Sequence, residues 1–274
     1  MILDGKMVRN HLLDNYKKII EEDHLQITLA IIYIGNDEAS KVYINNKIKY
    51  CEMVGIKTEL INFKDDVLEN VVINKIKELN NDKNITGIIV QSPIPKGLDF
   101  HKIVEEIDPN KDVDGFTKEN WYKLSHKERG LRPATAKGII CLLKEYNIDL
   151  KGKNVCIIGR GELVGKPLIF EMLNQDATVC VCHRYTKDLA KHTKDADIIV
   201  CAAGCKRLLT EDMVSNDAIV IDVGISFEDG HIVGDVDYDN VQNKCSYITP
   251  NPGGVGPMTI AMIIDNLIEI KRGE

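Results

Sequence analysis

The sequence has no apolar run near the ~20 residues that a membrane span requires, and it has no excess of basic residues. Lys and Arg number 35 against 42 Asp and Glu, which gives a formal net charge of −7. This balance argues against a nucleic-acid-binding surface, which needs clustered positive charge. Internal repeats and low-complexity tracts are also absent. With 44% hydrophobic and 28% charged residues over 274 positions, the chain is typical of a soluble globular protein with two domains.

The sequence also lacks a recognisable metal-site spacing and the signal peptide of a secreted, disulfide-linked protein. Its eight cysteines lie in apolar runs of a long chain, so we expect reduced thiols and a cytoplasmic location. Neither Cys180-x-Cys182 nor Cys201-x-x-x-Cys205 has a second pair at zinc spacing, and the seven histidines form no His-x-x-x-His pair. We therefore predict no structural metal.

Two successive α/β patterns follow along the chain. In the first, apolar periodicity predicts strands and helices in a β-α-β-α-β order, hence a parallel sheet. Gly35-Asn36-Asp37 supplies a turn and an N-cap, and Gly55 closes the helix that follows. Residues 92–134 predict loops and short helices. The predicted elements are helices at 5–22, 38–54 and 67–79 and strands at 27–33, 58–63 and 85–91.

The second pattern begins with a helix at 135–146 and continues with strands at 154–158, 178–182, 198–202 and 218–223. We predict an α/β fold of two domains, each with a largely parallel sheet flanked by helices, the second a Rossmann-type nucleotide-binding domain. The first domain is predicted to comprise residues 1–134 plus an amphipathic C-terminal helix at 257–274, and the second residues 135–256.

Gly159, Gly161 and Gly165 follow the apolar run at 154–158 and allow a sharp turn from a buried strand into a helix. Without side chains there, backbone N–H groups and the helix N-terminus can approach a pyrophosphate. The Gly-x-Gly-x-x-x-Gly spacing is one residue longer than the usual dinucleotide fingerprint, so a turn without ligand is the alternative. A P-loop is excluded, because the glycines are too close together and Gly165-Lys166 is followed by proline.

Tyr43 and Lys47 share one helix face, because they are four residues apart. A phenol beside a partly buried ammonium can hold the lysine near a substrate and lower its pKa into a useful range. A solvated lysine beside a half-buried tyrosine is the structural alternative. Short-chain dehydrogenases also use Tyr-x-x-x-Lys, but there the pair follows the glycine turn, whereas here it precedes it.

Two further polar residues stand where open α/β sheets bind ligands. Gln91 ends the strand at 85–91, at the carboxyl edge of the predicted sheet. Asp114, in Lys111-Asp112-Val113-Asp114-Gly115, could accept paired N–H donors from a heterocycle. The alternatives are a capping role for Gln91 and a simple Asp-Gly turn for Asp114.

Taken together, these motifs resemble the bifunctional methylenetetrahydrofolate dehydrogenase/methenyltetrahydrofolate cyclohydrolase family over essentially the whole chain. The resemblance implies folate in a cleft between two α/β domains, NADP as hydride acceptor, and a homodimer made through the nucleotide domains. The C-terminal helix would rejoin the N-terminal domain. The matching motifs are Leu3-Asp4-Gly5-Lys6, Ser40-x-x-Tyr43-x-x-x-Lys47, Val90-Gln91-x-Pro93, Lys111 to Gly115, Gly159-Arg160, Val164-Gly165-x-Pro167, Ile221 to Ile225 and Pro252 to Thr259.

The resemblance also implies a role for each site residue. Lys47 would activate water and transfer protons in the hydrolytic step, Gln91 would position it, and Tyr43 would restrain it and pack against folate. Asp114 would pair with pterin N–H groups. Further substrate contacts are implied for Val90, Pro252, Gly253, Gly254 and Val255, and cofactor contacts for Gly159, Arg160, Gly161, Gly165, Arg184, Ile225 and Thr259.

The chain departs from the family pattern at Ser92, at Asn251, at Pro133-Ala134-Thr135-Ala136 and at Gly161-Glu162. The first three alter the cleft lining. At Gly161-Glu162, we expect the missing hydroxyl and the added negative charge to weaken phosphate binding. An acid about 20 residues beyond the glycine turn would suit NAD, but this chain has His183-Arg184 there, which favours NADP. The competing functions are a dehydrogenase of another small molecule and a non-catalytic nucleotide-binding protein.

Overall fold

The computed structural model describes residues 1–228 and 231–273. Its contacts divide the chain into two compact units. The first unit contains residues 11–134 and the C-terminal residues from Ile260, and the second contains residues 1–10 and 135–259. None of the helices in the described residues is long and apolar enough to cross a membrane.

The first unit is built on a three-stranded parallel sheet in the order β2-β1-β3. The central strand β1 (Thr28–Ile34) is buried on both faces, which explains its unbroken apolar sequence. Ile31 pairs with Leu60 on one side and with Ile89 on the other. The remaining elements are β2 (Lys57–Phe63), β3 (Gly87–Val90), α2 (Glu38–Met53), α3 (Glu69–Asn81), α4 (Phe100–Val104) and α5 (Lys118–Ser125).

The predicted β-α-β-α-β order of the first unit is confirmed, as is the cap of α2. The Asp37 carboxylate accepts a hydrogen bond of 2.7 Å from the backbone N–H of Ser40 at the start of this helix. Gly55 follows α2 with φ of +91°, a conformation that residues with a Cβ rarely adopt.

The second unit is built on a five-stranded parallel sheet in the order β10-β7-β6-β4-β5. The sequence prediction missed three short strands of the second unit, β8, β9 and β10, because two or three residues carry no readable periodicity. The strands are β4 (Asn154–Ile158), β5 (Thr178–Cys182), β6 (Ile198–Cys201), β7 (Ile219–Asp222) and β10 (Tyr247–Ile248), with β8 (Ser226–Glu228) and β9 (His231–Val233) as a separate antiparallel pair. The helices are α6 (Ala134–Glu145), α7 (Gly165–Asn174), α8 (Leu189–Thr193) and α9 (Tyr238–Val241).

The two terminal helices, α1 (Gly5–Glu22) and α10 (Val255–Gly273), each begin in the second unit and continue into the first. Residues 1–10 group with the second unit, and not with the first as predicted, because Leu3 donates to the Ile248 carbonyl and Ile248 donates to the Met1 carbonyl. The later part of α10 is tied into the first unit by Asn266, whose Nδ2 donates to the carbonyls of Val113 and Arg132 at 2.8 and 2.9 Å.

Two buried carboxylates organise the loops of the second unit. Asp222 ends β7 and accepts backbone N–H bonds from Gly224, Asp235 and Val236. Asp235 in turn accepts from the N–H groups of residues 203–205. A Cβ at Gly224 would overlap the Asp235 carboxylate, so glycine is required there. These bonds satisfy loop N–H groups that would otherwise be buried without partners.

Burial raises the pKa of Asp222 from the usual 3.8 to about 6, against the lowering effect of its backbone donors. Because the folded-state pKa lies above the unfolded one, the protonated carboxyl stabilises the fold, and this contribution is lost as pH rises from about 4 through 6. A pKa difference of about two units corresponds to a loss of about 3 kcal/mol in the free energy of unfolding. We predict that Asp222→Asn abolishes this pH-dependent loss. The check is the free energy of unfolding by denaturant, measured for both proteins from pH 4 to pH 7. Parallel pH curves for both proteins would contradict it.

Candidate active site

Helix α2 presents Ser40, Tyr43 and Lys47 on one face, since they are three and four residues apart. Ser40 is 2% exposed and Lys47 is 9% exposed, while Tyr43 is half-buried. Burial raises the pKa of the Tyr43 phenol, which therefore stays protonated as a donor. The buried Ser40 hydroxyl has no hydrogen-bond partner among the described residues. A buried hydroxyl with unused capacity suits contact with a ligand or water.

Gln91 lies opposite this face, at the carboxyl end of β3. Its side-chain Oε1 accepts a buried hydrogen bond of 2.9 Å from Lys47 Nζ. Its Nε2 donates to the Ser92 carbonyl at 2.6 Å, and its backbone N–H donates to the Ile32 carbonyl at 2.8 Å. Both ends of the amide are therefore committed, which fixes the oxygen toward Lys47. The predicted proximity of Lys47 and Gln91 is observed.

Asp114 is the third charged or polar group of this site. The segment before it runs beside β3, since Ile88 donates to the Lys111 carbonyl at 2.7 Å and accepts from Val113. Burial raises the pKa of Asp114, and the nearby positive charge of Lys47 opposes that rise. Among the described residues, no side chain or backbone group donates a hydrogen bond to this carboxylate. It is thus a desolvated acceptor close to Lys47.

The two neighbours of Asp114 in the motif have structural roles. Asp112 is fully buried and accepts from the Thr117 N–H at 2.7 Å and from Asn120 Nδ2 at 3.1 Å. Lys111 Nζ donates to the carbonyls of Leu79, Asn80 and Asp82 at the end of α3. Gly115 follows with φ of +68° and forms the predicted turn. Val90 packs its side chain into the core of the first unit, so only its backbone is available to a ligand.

The glycine turn of the second unit joins β4 to α7. A Cβ at Gly159 would overlap the Ala202 carbonyl, and one at Gly165 would lie 2.5 Å from the Gly159 carbonyl oxygen. Both glycines are therefore required for the close approach of two backbones. A Cβ at Gly161 would meet nothing within 4 Å, so packing does not require this glycine. The turn and the first N–H groups of α7 form a cradle suited to a phosphate.

The other residues predicted to hold a cofactor all lie in the second unit. Arg160 and Arg184 are exposed, and the Arg184 guanidinium lies 4.8 Å from the centre of the Tyr185 ring. Ile225 is exposed before β8. Thr259 is half-buried in α10, with its hydroxyl 3.0 Å from that of Thr135. The donor set, two guanidiniums, two hydroxyls and a glycine cradle, fits a phosphate-bearing dinucleotide.

Most of the loop before α10 is buried. Pro252 is exposed, whereas Gly253, Gly254 and Val255 are buried. The Gly253 carbonyl accepts from the Lys6 N–H at 3.1 Å, and Gly253 has φ of +120°. The substrate contacts predicted for this loop stay a prediction.

Comparison with known proteins decides the family. Residues 3–114 match the family described as "Tetrahydrofolate dehydrogenase/cyclohydrolase, catalytic domain", and residues 133–274 match "Tetrahydrofolate dehydrogenase/cyclohydrolase, NAD(P)-binding domain". The chain belongs to the tetrahydrofolate dehydrogenase/cyclohydrolase family. The expected resemblance is thus confirmed, and so is the fold class, with an NAD(P)-binding Rossmann-type second domain.

Relatives match this family member over nearly their whole length. The chain is 48% identical over 273 residues to the Bifunctional protein FolD of Hydrogenobaculum sp., covering 99% of this chain and 98% of the relative. The bifunctional methylenetetrahydrofolate dehydrogenase/cyclohydrolase structure from Campylobacter jejuni is 42% identical, with a TM-score of 0.97 and coverage of 100% and 99%. The corresponding Trypanosoma brucei enzyme, complexed with NADP cofactor and inhibitor, is 30% identical, with a TM-score of 0.94 and coverage of 100% and 97%.

Two departures from the family pattern have structural explanations. Glu162 forms an ion pair of 2.8 Å with Lys166 one helical turn later, so its negative charge is offset beside the glycine turn. Asn251 Nδ2 donates to the Gly224 carbonyl, a bond that an apolar residue could not make. Neither pairing could be predicted from the sequence, and nor could the unpartnered Ser40 hydroxyl.

We predict that Gly165→Ala lowers the free energy of unfolding by about 1–3 kcal/mol, because its methyl would collide with backbone atoms of residues 159 and 160. Gly161→Ala is the matched control, with an expected change within about 0.5 kcal/mol. Urea unfolding of the two variants and the unmodified protein is the measurement. Equal stability of the two variants would refute the conclusion that Gly165, unlike Gly161, is required for close backbone packing.

Proposed function

We propose that this chain oxidises 5,10-methylenetetrahydrofolate with NADP and then hydrolyses the 5,10-methenyl product to 10-formyltetrahydrofolate. The observation that carries the proposal is the buried hydrogen bond from Lys47 to Gln91 beside the desolvated Asp114. All three lie in residues matched by the catalytic domain of the family. Membership of the family supports both activities and the folate substrate class.

In the hydrolytic step, water adds to the methenyl carbon and loses one proton, which leaves a hydroxyl on that carbon. The hydroxyl then loses its proton to form the formyl C=O, while the bond from that carbon to N5 breaks and N5 gains a proton. Lys47 is the residue placed to exchange these protons, since its Nζ is held by Gln91. Gln91 is neutral and holds Nζ through its side-chain oxygen. Tyr43, as a protonated phenol one turn away, restrains Lys47 and packs against the folate.

Asp114 is proposed to orient the substrate. Its carboxylate is desolvated and receives no hydrogen bond from the described residues, so paired N–H donors of a pterin would satisfy it. The Ser40 hydroxyl and the backbone at Val90 are further polar contacts on the same unit.

NADP, when bound, accepts a hydride from the methylene carbon. The residues proposed to hold it are Gly159, Arg160, Gly161 and Gly165 at the turn, with Arg184, Ile225 and Thr259. Arg160 and Arg184 supply positive charge for phosphate groups, and Lys166 offsets the charge of Glu162. The NADP complex of the Trypanosoma brucei relative supports the same cofactor here.

We further propose a homodimer made through the nucleotide domains. The family resemblance is what supports this assembly. Light scattering coupled to size exclusion gives the mass directly. The cytoplasmic location stays a prediction.

We predict that Lys47→Met lowers methenyltetrahydrofolate hydrolysis by about 10²–10⁴-fold, because a thioether cannot transfer protons. Lys49→Met, two residues along the same helix and exposed, is the matched control and should hydrolyse normally. The measurement is the loss of methenyl absorbance by the folded variants. Near-normal hydrolysis by Lys47→Met would refute the role of Lys47.

Asp114→Asn should raise the KM for the folate substrate by roughly 10-fold or more, because a charge-assisted pair is replaced by a weaker contact. The protein's stability should change little. Asp112→Asn should have the opposite pattern, with little change in KM and a lower stability. The free energy of unfolding should fall by about 1–3 kcal/mol, because the buried donors of Thr117 and Asn120 lose a carboxylate acceptor. Steady-state kinetics and urea unfolding of both variants are the measurements. The assignment fails if the two variants behave alike.

Arg184→Ala should reduce the preference for NADP over NAD by roughly 10- to 150-fold, the value of one hydrogen bond to a charged group. Lys187→Ala, exposed three residues later, is the control and should keep the preference. The measurement is kcat/KM with each cofactor at saturating methylenetetrahydrofolate. A preference for NAD in the unmodified protein would overturn the cofactor assignment.

A further inference from the structure

Three thiols converge on one face of the second unit's sheet. Cys156 lies on β4 and pairs in register with Cys180 on the edge strand β5. Cys182, two residues further along β5, returns to the same face because side chains alternate along a strand. The three sulfur atoms all lie within 4.8 Å of one another, and those of Cys156 and Cys182 are 3.7 Å apart.

A histidine approaches this cluster from α8. His192 Nδ1 lies 3.5 Å from the sulfur of Cys180. Tetrahedral zinc, with bonds of about 2.3 Å to sulfur and 2.0–2.1 Å to nitrogen, separates two sulfurs by about 3.8 Å and a sulfur and a nitrogen by about 3.5 Å. The observed separations match both values. A side-chain rotation of His192 toward the buried sulfurs would complete a four-coordinate set.

Core packing explains only part of this cluster. Cys156 and Cys182 are fully buried and pack with apolar neighbours, as free cysteines often do. Cys180 is exposed, so burial gives no reason for a thiol there. Its exposure instead leaves a route from solvent to the two buried sulfurs. Spacing along the chain could not reveal the site, because the third thiol comes from a neighbouring strand.

We propose that Cys156, Cys180, Cys182 and His192 bind one thiophilic divalent metal ion of the d¹⁰ class, for which Zn²⁺ is the probe. On binding, each thiol releases its proton to the buffer and the imidazole binds as the neutral base. The bound ion would join β4, the edge strand β5 and α8. This site is separate from the folate chemistry of the first unit and does not depend on the proposed function.

The test is metal binding by the whole protein after reduction and removal of metal with a chelator. Zn²⁺ is titrated against a chromophoric competitor, and Co²⁺ is used to record thiolate-to-metal charge transfer. We expect one Zn²⁺ per chain and a cobalt spectrum of tetrahedral thiolate ligation. Loss of a residue that only supports a ligand costs 10–100-fold in affinity, so Cys180→Ser, which removes a ligand, should cost at least about 100-fold.

Cys205→Ser is the matched control, because Cys205 is also an exposed free thiol but lies outside the cluster. It should bind Zn²⁺ as the unmodified protein does. His192→Ala should weaken binding and reduce the nitrogen contribution to the cobalt spectrum. Circular dichroism confirms that each variant is folded. Absence of one-to-one binding, or equal affinity of Cys180→Ser and Cys205→Ser, would overturn the proposal.

Discussion

The candidate site depends on the burial of one positive charge, the Lys47 ammonium. A buried ammonium is costly unless a partner compensates it, and Gln91 Oε1 is the acceptor that the fold supplies. This pairing constrains both elements, because α2 must face the carboxyl end of β3 for the 2.9 Å bond to form. The acceptor is the uncharged side-chain oxygen of an amide whose other end is held by the Ser92 carbonyl. The nearby Asp114 adds its charge without a hydrogen bond to Lys47.

In the second unit, the buried polar groups that need partners are backbone N–H groups of loops. Asp222 and Asp235 gather loop N–H groups around the carboxyl ends of the parallel strands, and Gly224 leaves them the space. Gly159 and Gly165 bring backbone segments equally close at the turn that leads into α7. The same physical need, satisfying buried polar groups near a sheet edge, thus shapes both units.

The sequence was sufficient to predict the parts of the fold that rest on local periodicity. The unbroken apolar run of β1, the Asp37 cap and Gly55 each have a local cause, and each appears where expected. The bonds that bring Met1 and Leu3 to Ile248 were not predictable, because they join residues nearly a chain length apart. They explain why the first ten residues group with the second unit.

The sequence nominated candidate residues for the site but did not reveal their contacts. Lys47, Tyr43 and Gln91 could be chosen from helix spacing and strand ends. Asp112 and Asp114 stand in the same short motif, and residue type does not tell their roles apart. Hydrogen bonds mark Asp112 as the structural carboxylate and leave Asp114 available to a ligand. The convergence of Cys156 with Cys180 likewise required the strand register.

The most direct test of the account is one assay of the purified chain with 5,10-methylenetetrahydrofolate, with NADP added or withheld. NADPH is followed by absorbance and 10-formyltetrahydrofolate by chromatography. We expect NADPH only when both substrates are present, together with a matching yield of the formyl product formed faster than by the spontaneous reaction. Absence of NADPH, or methenyltetrahydrofolate that accumulates without accelerated hydrolysis, would contradict it.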